Sequence, residues 1–254
     1  MENILPTAII ELITDAQKVF MEQGIDYFIV GAIARDIQLA KHLGLIPSRK
    51  TNDVDFAVVV PNESKFDDIK SALVATGKFK PDENNPLKLL YKKGIEIDLM
   101  PFGGIENEMR EISLRHPKVF TMDVPGFIEA YNALQDVQLD DKHFRACSVE
   151  GLILLKLYAW NNRSSRTKDL QDIDLLLANY VDLSDNVYEN HFDALNKYDE
   201  KLQTYLISVS GRVVGRELAK LLSYDNEKIS VIHEIITKRP VIGWLEMADG
   251  LEDI

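Results

Sequence analysis

One short stretch decides the predicted fold: residues 51–58 read Thr51-Asn52-Asp53-Val54-Asp55-Phe56-Ala57-Val58. The apolar and β-branched residues that follow predict a central strand over Val54 to Val60. Because side chains alternate along a strand, Asp53 and Asp55 lie on one face. Adjacent carboxylates repel each other, and a divalent cation between them removes that cost. The stretch therefore predicts a Mg²⁺ or Mn²⁺ site, and two solvated acids at the start of a strand are the alternative.

A second apolar strand, Ile95 to Met100, carries Glu96 and Asp98 on one face. If this strand neighbours the first, one of these acids comes beside the first pair. Three convergent carboxylates are what a two-metal phosphoryl or nucleotidyl transfer site needs, where one ion activates the attacking hydroxyl and the other holds the triphosphate. Glu96 and Asp98 are rivals for the third position, and the shorter side chain of Asp98 gives the tighter geometry.

A small-residue turn precedes the acid-bearing strand, in the stretch Val30-Gly31-Ala32-Ile33-Ala34-Arg35-Asp36. It joins a predicted strand, Tyr27 to Val30, to a predicted helix from about Ile33 to Leu43. Small residues let the backbone approach a phosphate, and a helix N-terminus supplies free N–H groups. An ordinary turn would have the same composition, but the position before the acid-bearing strand favours a phosphate-binding turn.

The chain divides into a mixed part and a helical part. The first part adds predicted helices from about Pro6 to Gln23 and Ser64 to Thr76, a loop over Leu45 to Asn52, and a hairpin of Leu87 to Lys92 with Ile95 to Met100. This pattern predicts an α/β (α+β) domain with a mixed sheet over residues 1–125. Residues 126–254 are predicted to form a mostly helical C-terminal domain, a helical bundle, with the active cleft between the two domains. Its elements are strand candidates near Val137 and Phe144 and helices over about Glu150–Asn161, Thr167–Tyr180, Glu200–Ser208, Arg212–Leu222 and Asn226–Lys238.

The composition is that of a soluble globular protein, with 46% apolar and 28% charged residues among 254. No apolar run approaches the ~20 residues that span a bilayer, and the N-terminal helix contains Glu11 and Asp15, unlike a signal peptide. The single cysteine, Cys147, fits a reducing compartment and is predicted to be a buried, inert thiol. We therefore expect a cytoplasmic protein. A net charge of −12 argues against broad non-specific nucleic-acid binding but leaves room for a local basic groove.

Two predicted helices of the second part carry cations of interest. Lys156 lies inside an otherwise apolar helix, where a lysine either extends to solvent or points into a cleft at phosphate oxygens. Lys168 stands four residues before Asp172, at the edge of the apolar stripe of the next helix. Arg163, Arg166 and Lys168 form either a solvated loop or a basic patch on an acidic protein, and we favour the patch slightly.

The order of these motifs resembles that of the DNA polymerase β-like nucleotidyltransferases: a glycine turn before a helix, a strand with Asp-x-Asp, and a later strand with a third Asp. The turn also resembles the Gly-Gly-x-x-Arg-Asp turn of CCA-adding enzymes. The strongest likeness is to the AbiEii-type nucleotidyltransferases, the toxins of type IV toxin–antitoxin systems, and it covers roughly residues 25–180. It continues through Asp98-Leu99-Met100-Pro101-Phe102-Gly103-Gly104, Leu155-Lys156-Leu157-Tyr158-Ala159-Trp160 and Arg166-Thr167-Lys168-Asp169-Leu170-Gln171-Asp172-Ile173.

The resemblance implies a catalytic role for five residues. Asp53, Asp55 and Asp98 would bind the metal ions, and Asp98 would also help to deprotonate the acceptor. Lys156 would hold the triphosphate of the NTP. Asp172 would orient either that lysine or the nucleotide.

The resemblance also implies a set of nucleotide-binding residues. Gly31 and Ala32 would contact the phosphates, and Arg35, Lys156 and Lys168 would complete the set. The family commonly has Ser after the turn glycine, with a hydroxyl that touches phosphate. Ala32 offers only its backbone N–H there, which puts the turnover rate and the nucleotide preference in question.

These features together predict an enzyme that moves a nucleoside monophosphate from an NTP to an acceptor hydroxyl and releases pyrophosphate. The toxin resemblance implies an RNA acceptor, particularly the 3′ end of tRNA, and a cognate antitoxin as partner. The acidic surface fits a small-molecule or protein acceptor equally well. Outside the enzymes, the alternative is a catalytically weak nucleotide-binding module.

Overall fold

The computed structural model describes residues 4–44, 52–92, 94–115, 118–139 and 141–253. Most of the predicted loop between Leu45 and Asn52, with its Arg49 and Lys50, lies outside the described residues, as does Lys93 in the predicted hairpin turn. The chain forms two compact units: the first contains most of the residues up to Cys147, and the second continues from Ser148.

The first unit is built on a sheet of seven strands in the order β3-β4-β5-β2-β1-β9-β8, with β6 and β7 paired separately. Strand β2 runs parallel to β5 and β1 runs parallel to β9, whereas the other pairs of the large sheet are antiparallel. The predicted mixed sheet is confirmed. Its elements are α1 (Thr7–Glu22), β1 (Tyr27–Val30), α2 (Gly31–Leu43), β2 (Asp53–Val59), α3 (Glu63–Ala75), β3 (Phe79–Pro81), β4 (Lys88–Tyr91), β5 (Ile95–Phe102), β6 (Glu111–Leu114), β7 (Phe120–Asp123), α4 (Phe127–Tyr131), β8 (Leu134–Leu139) and β9 (Lys142–Cys147).

Strand β2 has one buried face and one half-buried face. Val54 and Phe56 are fully buried, while Asp53 and Asp55, which project to the other side, are half-buried. Helix α1 packs on the apolar side, where the ring centroids of Phe20 and Phe56 lie 5.4 Å apart in an edge-on contact. Full burial of one such large apolar side chain contributes about 1.5–3 kcal/mol. The apolar face anchors the strand, so its acids lie on the opposite face.

Strands β8 and β9 extend the large sheet beyond the point at which the sequence pattern changes. Ile29 of β1 pairs with Ala146 of β9, which places β9 inside the sheet and β8 at its edge. The predicted domain boundary between residues 125 and 126 assigns these two strands to the helical part, whereas the structure places them in the large sheet. Cys147 ends β9 with its side chain buried, and its carbonyl accepts a hydrogen bond from the Gln38 side chain at 2.8 Å.

In residues 148–253, which make up most of the second unit, all the regular secondary structure is helical. The predicted C-terminal helical part is therefore confirmed, but one helix boundary is wrong. The segments predicted as two helices around Gly211 form the single helix α9, because Gly211 fits against the backbone of α11, where an added Cβ would lie 2.2 Å from the Gly243 carbonyl oxygen. The elements are α5 (Val149–Asn162), α6 (Thr167–Leu183), α7 (Asn186–Asn190), α8 (Phe192–Lys197), α9 (Tyr205–Leu221), α10 (Asn226–Thr237) and α11 (Ile242–Leu251).

Among the helices that the structure describes, none combines the length and the apolar character that crossing a membrane requires.

Candidate active site

Four carboxylates share one face of the large sheet. Strands β2 and β5 are direct parallel neighbours, with Asp53 opposite Glu96 and Asp55 opposite Asp98. Residues opposite each other in paired strands project to the same side of the sheet. We call the face that carries Asp53, Asp55, Glu96 and Asp98 the acid face. The structure thus brings together the three aspartates that the sequence predicted as metal ligands, and keeps Glu96 beside them.

Asp98 has the most unusual environment among these acids. Its side chain is 26% exposed, and its Oδ1 atom is buried without a hydrogen-bond partner. Burial raises the pKa of Asp98 above the ordinary carboxyl value, Lys88 opposes this rise, and the negative charges of Asp53 and Glu96 add to it. An oxygen that is buried, unsatisfied and surrounded by other acids favours the approach of a cation or a proton.

Lys88 is a member of the acid face that the sequence analysis did not single out. It lies on β4 directly opposite Asp98. Its Nζ forms an ion pair with Glu96 and lies 4.0 Å from Asp98 Oδ1. The sequence predicts a hairpin here but not its register; the pairing of Tyr91 with Ile95 in the structure sets Lys88 opposite Asp98.

Gly31 lies against the carboxylate of Asp55. Val30 pairs with Asp55 across β1 and β2, and a Cβ added at Gly31 would stand 2.0 Å from Asp55 Oδ2. Gly31 also has a φ of +67°, a conformation that is unfavourable for any other residue. Helix α2 begins at Gly31 itself, two residues earlier than predicted, so Ala32 is in its first turn. The turn brings a helix N-terminus, which favours negative charge, next to an acid-face carboxylate.

Arg35 lies on α2 but is buried, with 4% exposure. Its Nε donates a hydrogen bond to Asp36 Oδ1 at 2.8 Å, and Asp36 is buried as well. The charge of this buried arginine is therefore offset by the neighbouring aspartate within the first unit. The nucleotide-binding role of Arg35 stays a prediction.

In the second unit, Lys156 and Asp172 are in direct contact. The Nζ of Lys156 donates to Asp172 Oδ2 at 2.7 Å and to Asp169 Oδ1 at 3.3 Å. All three residues are buried, with exposures of 8% for Lys156 and 5% for each aspartate, so Lys156 does not extend to solvent. Arg166 contacts Asp169 from the exposed side. Lys168, on the first turn of α6, is exposed.

The acid face has the donor chemistry of a divalent-cation site. Carboxylate oxygens are the preferred ligands of Mg²⁺ and Mn²⁺, and the unsatisfied Oδ1 of Asp98 is a ready ligand atom. Across the part of the chain that the structure describes, however, no three His, Cys, Asp or Glu side chains are grouped so that they could hold an ion as they stand. The residues fit a cation by donor type and by placement on one face, but their oxygens do not converge on one point.

Comparison with known sequences gives the class of the protein. A family model described as "Nucleotidyl transferase AbiEii toxin, Type IV TA system" matches residues 26–238. The chain therefore belongs to the AbiEii nucleotidyltransferase family, and it is a nucleotidyltransferase. The resemblance drawn from the motif order is confirmed. No curated protein matches the chain.

Several solved structures resemble the chain at low sequence identity. The antibiotic-resistance factor ANT(2'')-Ia is 13% identical with a TM-score of 0.45, over 76% of this chain and 97% of that one. The lincosamide antibiotic adenylyltransferase LnuA is 14% identical with a TM-score of 0.39, over 68% and 96%. An antigenic nucleotidyltransferase-like protein from Paracoccidioides brasiliensis is 16% identical with a TM-score of 0.45, over 84% and 91%. The family match, rather than these structures, carries the assignment.

Proposed function

We propose that this nucleotidyltransferase moves a nucleoside monophosphate from an NTP to an acceptor hydroxyl at the acid face, with Mg²⁺ or Mn²⁺ held by Asp53, Asp55 and Asp98. The observation that carries the proposal is the strand register, which sets Asp55 directly opposite Asp98 with Asp53 two residues away. A divalent cation, when bound, supplies the positive charge that offsets the triphosphate and favours ionisation of the hydroxyl.

The reaction exchanges one bond to the α-phosphorus for another. The acceptor oxygen forms a bond to the α-phosphorus, the bond from that phosphorus to the bridging oxygen of the β-phosphate breaks, and pyrophosphate leaves with the bonding electrons. We assign the Asp98 carboxylate, through whichever oxygen the cation leaves open, to accept the proton of the acceptor hydroxyl, because its hydrogen-bonding capacity is not filled by the protein. Asp53 and Asp55 orient the reacting groups in this scheme.

The glycine turn is assigned to the phosphates. Since Gly31 has no side chain, the backbone at the start of α2 can lie against Asp55, and the free N–H groups of the first helical turn point at anything bound beside it. Ala32 contributes its backbone N–H alone. Without the hydroxyl of a serine, phosphate binding at this turn depends more heavily on the cation.

Lys156 is assigned to the triphosphate, with Asp172 and Asp169 as the residues that orient it. Its ammonium already pairs with two carboxylates. These pairs fix the direction of the side chain, and their negative charges offset part of its positive charge. Contact with a phosphate would therefore replace one of these hydrogen bonds. Arg35 and Lys168 remain predicted nucleotide contacts, the first buried and the second exposed.

The proposed acceptor is RNA, most specifically the 3′ end of tRNA, and the proposed partner is a cognate antitoxin. Both rest on the description of the family as the toxin of a type IV system. The net charge of −12 opposes adhesion to RNA through bulk electrostatics. Recognition would then depend on a local surface and on the shape of the acceptor end, in a cytoplasmic setting. A small-molecule or protein hydroxyl is the alternative acceptor.

The test is transfer of label from each α-³²P-labelled NTP, with Mg²⁺ or Mn²⁺, to total RNA, a metabolite pool or the protein itself. We expect label in RNA of tRNA size and loss of labelling in Asp53→Asn and Asp98→Asn. Asp15→Asn is the matched control, because Asp15 is an acid of the same unit that pairs with Lys78 instead. Label in metabolites alone would overturn the RNA acceptor, and full labelling by Asp53→Asn would overturn the acid-face site.

A further inference from the structure

The acid face includes a positively charged side chain, that of Lys88. Lys88 sits in the row of residues that runs across β4, β5 and β2, next to Asp98, which in turn is opposite Asp55. Its Nζ pairs with Glu96 and lies 4.0 Å from Asp98 Oδ1. Its side chain is 21% exposed. A lysine ammonium is fully charged at neutral pH, so it offsets the acids in the same place where the proposed function puts a divalent cation.

We propose that Lys88 is a positioning residue that competes with the divalent cation for the acid face and so sets the cation concentration at which the site is occupied. The inference rests on the proposed function, because it assumes that Asp53, Asp55 and Asp98 are the cation ligands. In the absence of a cation, Lys88 neutralises part of the acid face. With a cation bound, the ammonium would lie farther from Asp98 and would keep Glu96 as its partner.

The geometry favours such an exchange. Glu96 is 46% exposed, so Lys88 can follow it toward solvent through the flexible four-carbon stem that a lysine has. Asp98 is less exposed, and its Oδ1 is too far from Nζ for a hydrogen bond. Lys88 therefore holds Glu96 tightly and Asp98 loosely. Like charges within a few ångströms repel strongly in a partly buried site, so a cation bound at Asp98 Oδ1 gains when the ammonium moves.

Two other roles for Lys88 give different results. If Lys88 only stabilises the sheet through its ion pairs, removing its charge lowers stability and leaves cation affinity unchanged. If Lys88 binds the phosphates of the nucleotide, removing its charge weakens nucleotide binding and leaves the affinity for the cation alone unchanged. The proposal instead predicts tighter binding of the cation in the absence of nucleotide.

The experiment is titration of the full chain with Mn²⁺ alone, with free Mn²⁺ followed by electron paramagnetic resonance. We expect Lys88→Met to lower the Kd for Mn²⁺ by about tenfold or more, and Lys88→Arg, which keeps the charge, to behave like wild type. Lys78→Met is the matched control, because it removes a lysine that pairs with an acid, Asp15 at 2.6 Å, elsewhere in the same unit. Unchanged or weaker Mn²⁺ binding by Lys88→Met would overturn the proposal.

Two further measurements keep the outcome decisive. Lys88→Gln serves if Lys88→Met does not fold, as judged by its melting curve without metal. Asp55→Asn tests the proposed cation site itself, on which the competition by Lys88 depends. If Asp55→Asn binds Mn²⁺ as tightly as wild type, the cation site itself is refuted. If Asp55→Asn weakens Mn²⁺ binding but Lys88→Met does not tighten it, only the competition by Lys88 is refuted.

Discussion

Replacement of Gly31 by alanine is the sharpest test of how the glycine turn and the acid face fit together. The first effect is on the backbone: at a φ of +67°, a residue with a Cβ is destabilised by about 1–2 kcal/mol. The second is on Asp55, whose Oδ2 would be 2.0 Å from the new Cβ. The carboxylate must leave its position, at a further cost of about 0.5–1.5 kcal/mol if its side chain is forced off a rotamer. The free energy of unfolding should therefore fall by roughly 1.5–3.5 kcal/mol in Gly31→Ala.

Gly24 supplies a matched control for the backbone effect. It has nearly the same φ, +63°, but an added Cβ there would meet nothing within 4 Å. Gly24→Ala should thus lose about 1–2 kcal/mol and keep full activity. Gly31→Ala should in addition lose kcat/KM by about a hundredfold, because a displaced Asp55 no longer holds the reacting groups in line.

The measurements are urea denaturation of both variants and kcat/KM for NTP. The double variant Gly31→Ala with Asp55→Ala completes the cycle, because removal of the Asp55 carboxylate removes the clash. It should be more stable than Gly31→Ala alone and should remain inactive. Equal stability losses in Gly24→Ala and Gly31→Ala, together with normal activity of the latter, would refute the close fit of Gly31 against Asp55.

Four further predictions follow from the same structure. Asp53→Ala and Asp55→Ala should each abolish nucleotidyl transfer and leave melting temperature unchanged or raised, because each removes a repelling charge; near-normal transfer at saturating Mg²⁺ would contradict the metal role. NTP binding should fail in EDTA, and calorimetry that gives equal affinity with and without metal would contradict this. Lys156→Met should lose about 3–5 kcal/mol of stability, since the buried Asp169 and Asp172 lose the ammonium that pairs with both, and kcat/KM for NTP should fall about 10- to 150-fold; full activity would remove Lys156 from the site. Gly215→Ala should lower the melting temperature, because its Cβ would stand 2.2 Å from the Met247 carbonyl oxygen; a melting temperature equal to that of wild type would show that α9 and α11 separate easily.

Local sequence pattern was enough to predict which side chains of each acid-bearing strand lie on the same side. The two-residue period of a strand put Asp53 and Asp55 on one side, and the buried Val54 and Phe56 on the other side hold that orientation in place. The pattern likewise predicted that the strands over Leu87 to Lys92 and Ile95 to Met100 pair as a hairpin, since a short turn joins them. These features depend on neighbours in sequence, so sequence alone determines them.

Only the tertiary structure decided which partners meet across long separations. The parallel pairing of β2 with β5, which sets Asp55 opposite Asp98, joins strands separated by a helix and two strands. The insertion of β9 beside β1 depends on the fit of the whole sheet. For the same reason, the sequence does not decide whether Lys156 extends to solvent or points into a cleft. Its two carboxylate partners come from another helix.

The helix around Gly211 shows why local sequence did not predict every helix boundary. Glycine lowers helix propensity by about 1 kcal/mol, which made a break there a reasonable prediction. In the structure, that missing side chain lets α9 approach the backbone of α11 closely, and the packing outweighs the propensity. The sequence by itself thus determined the two strands that carry the acids, their faces and the identity of the acids, whereas long-range packing decided which of these residues touch, because contact energies between distant segments have no signature in the local pattern.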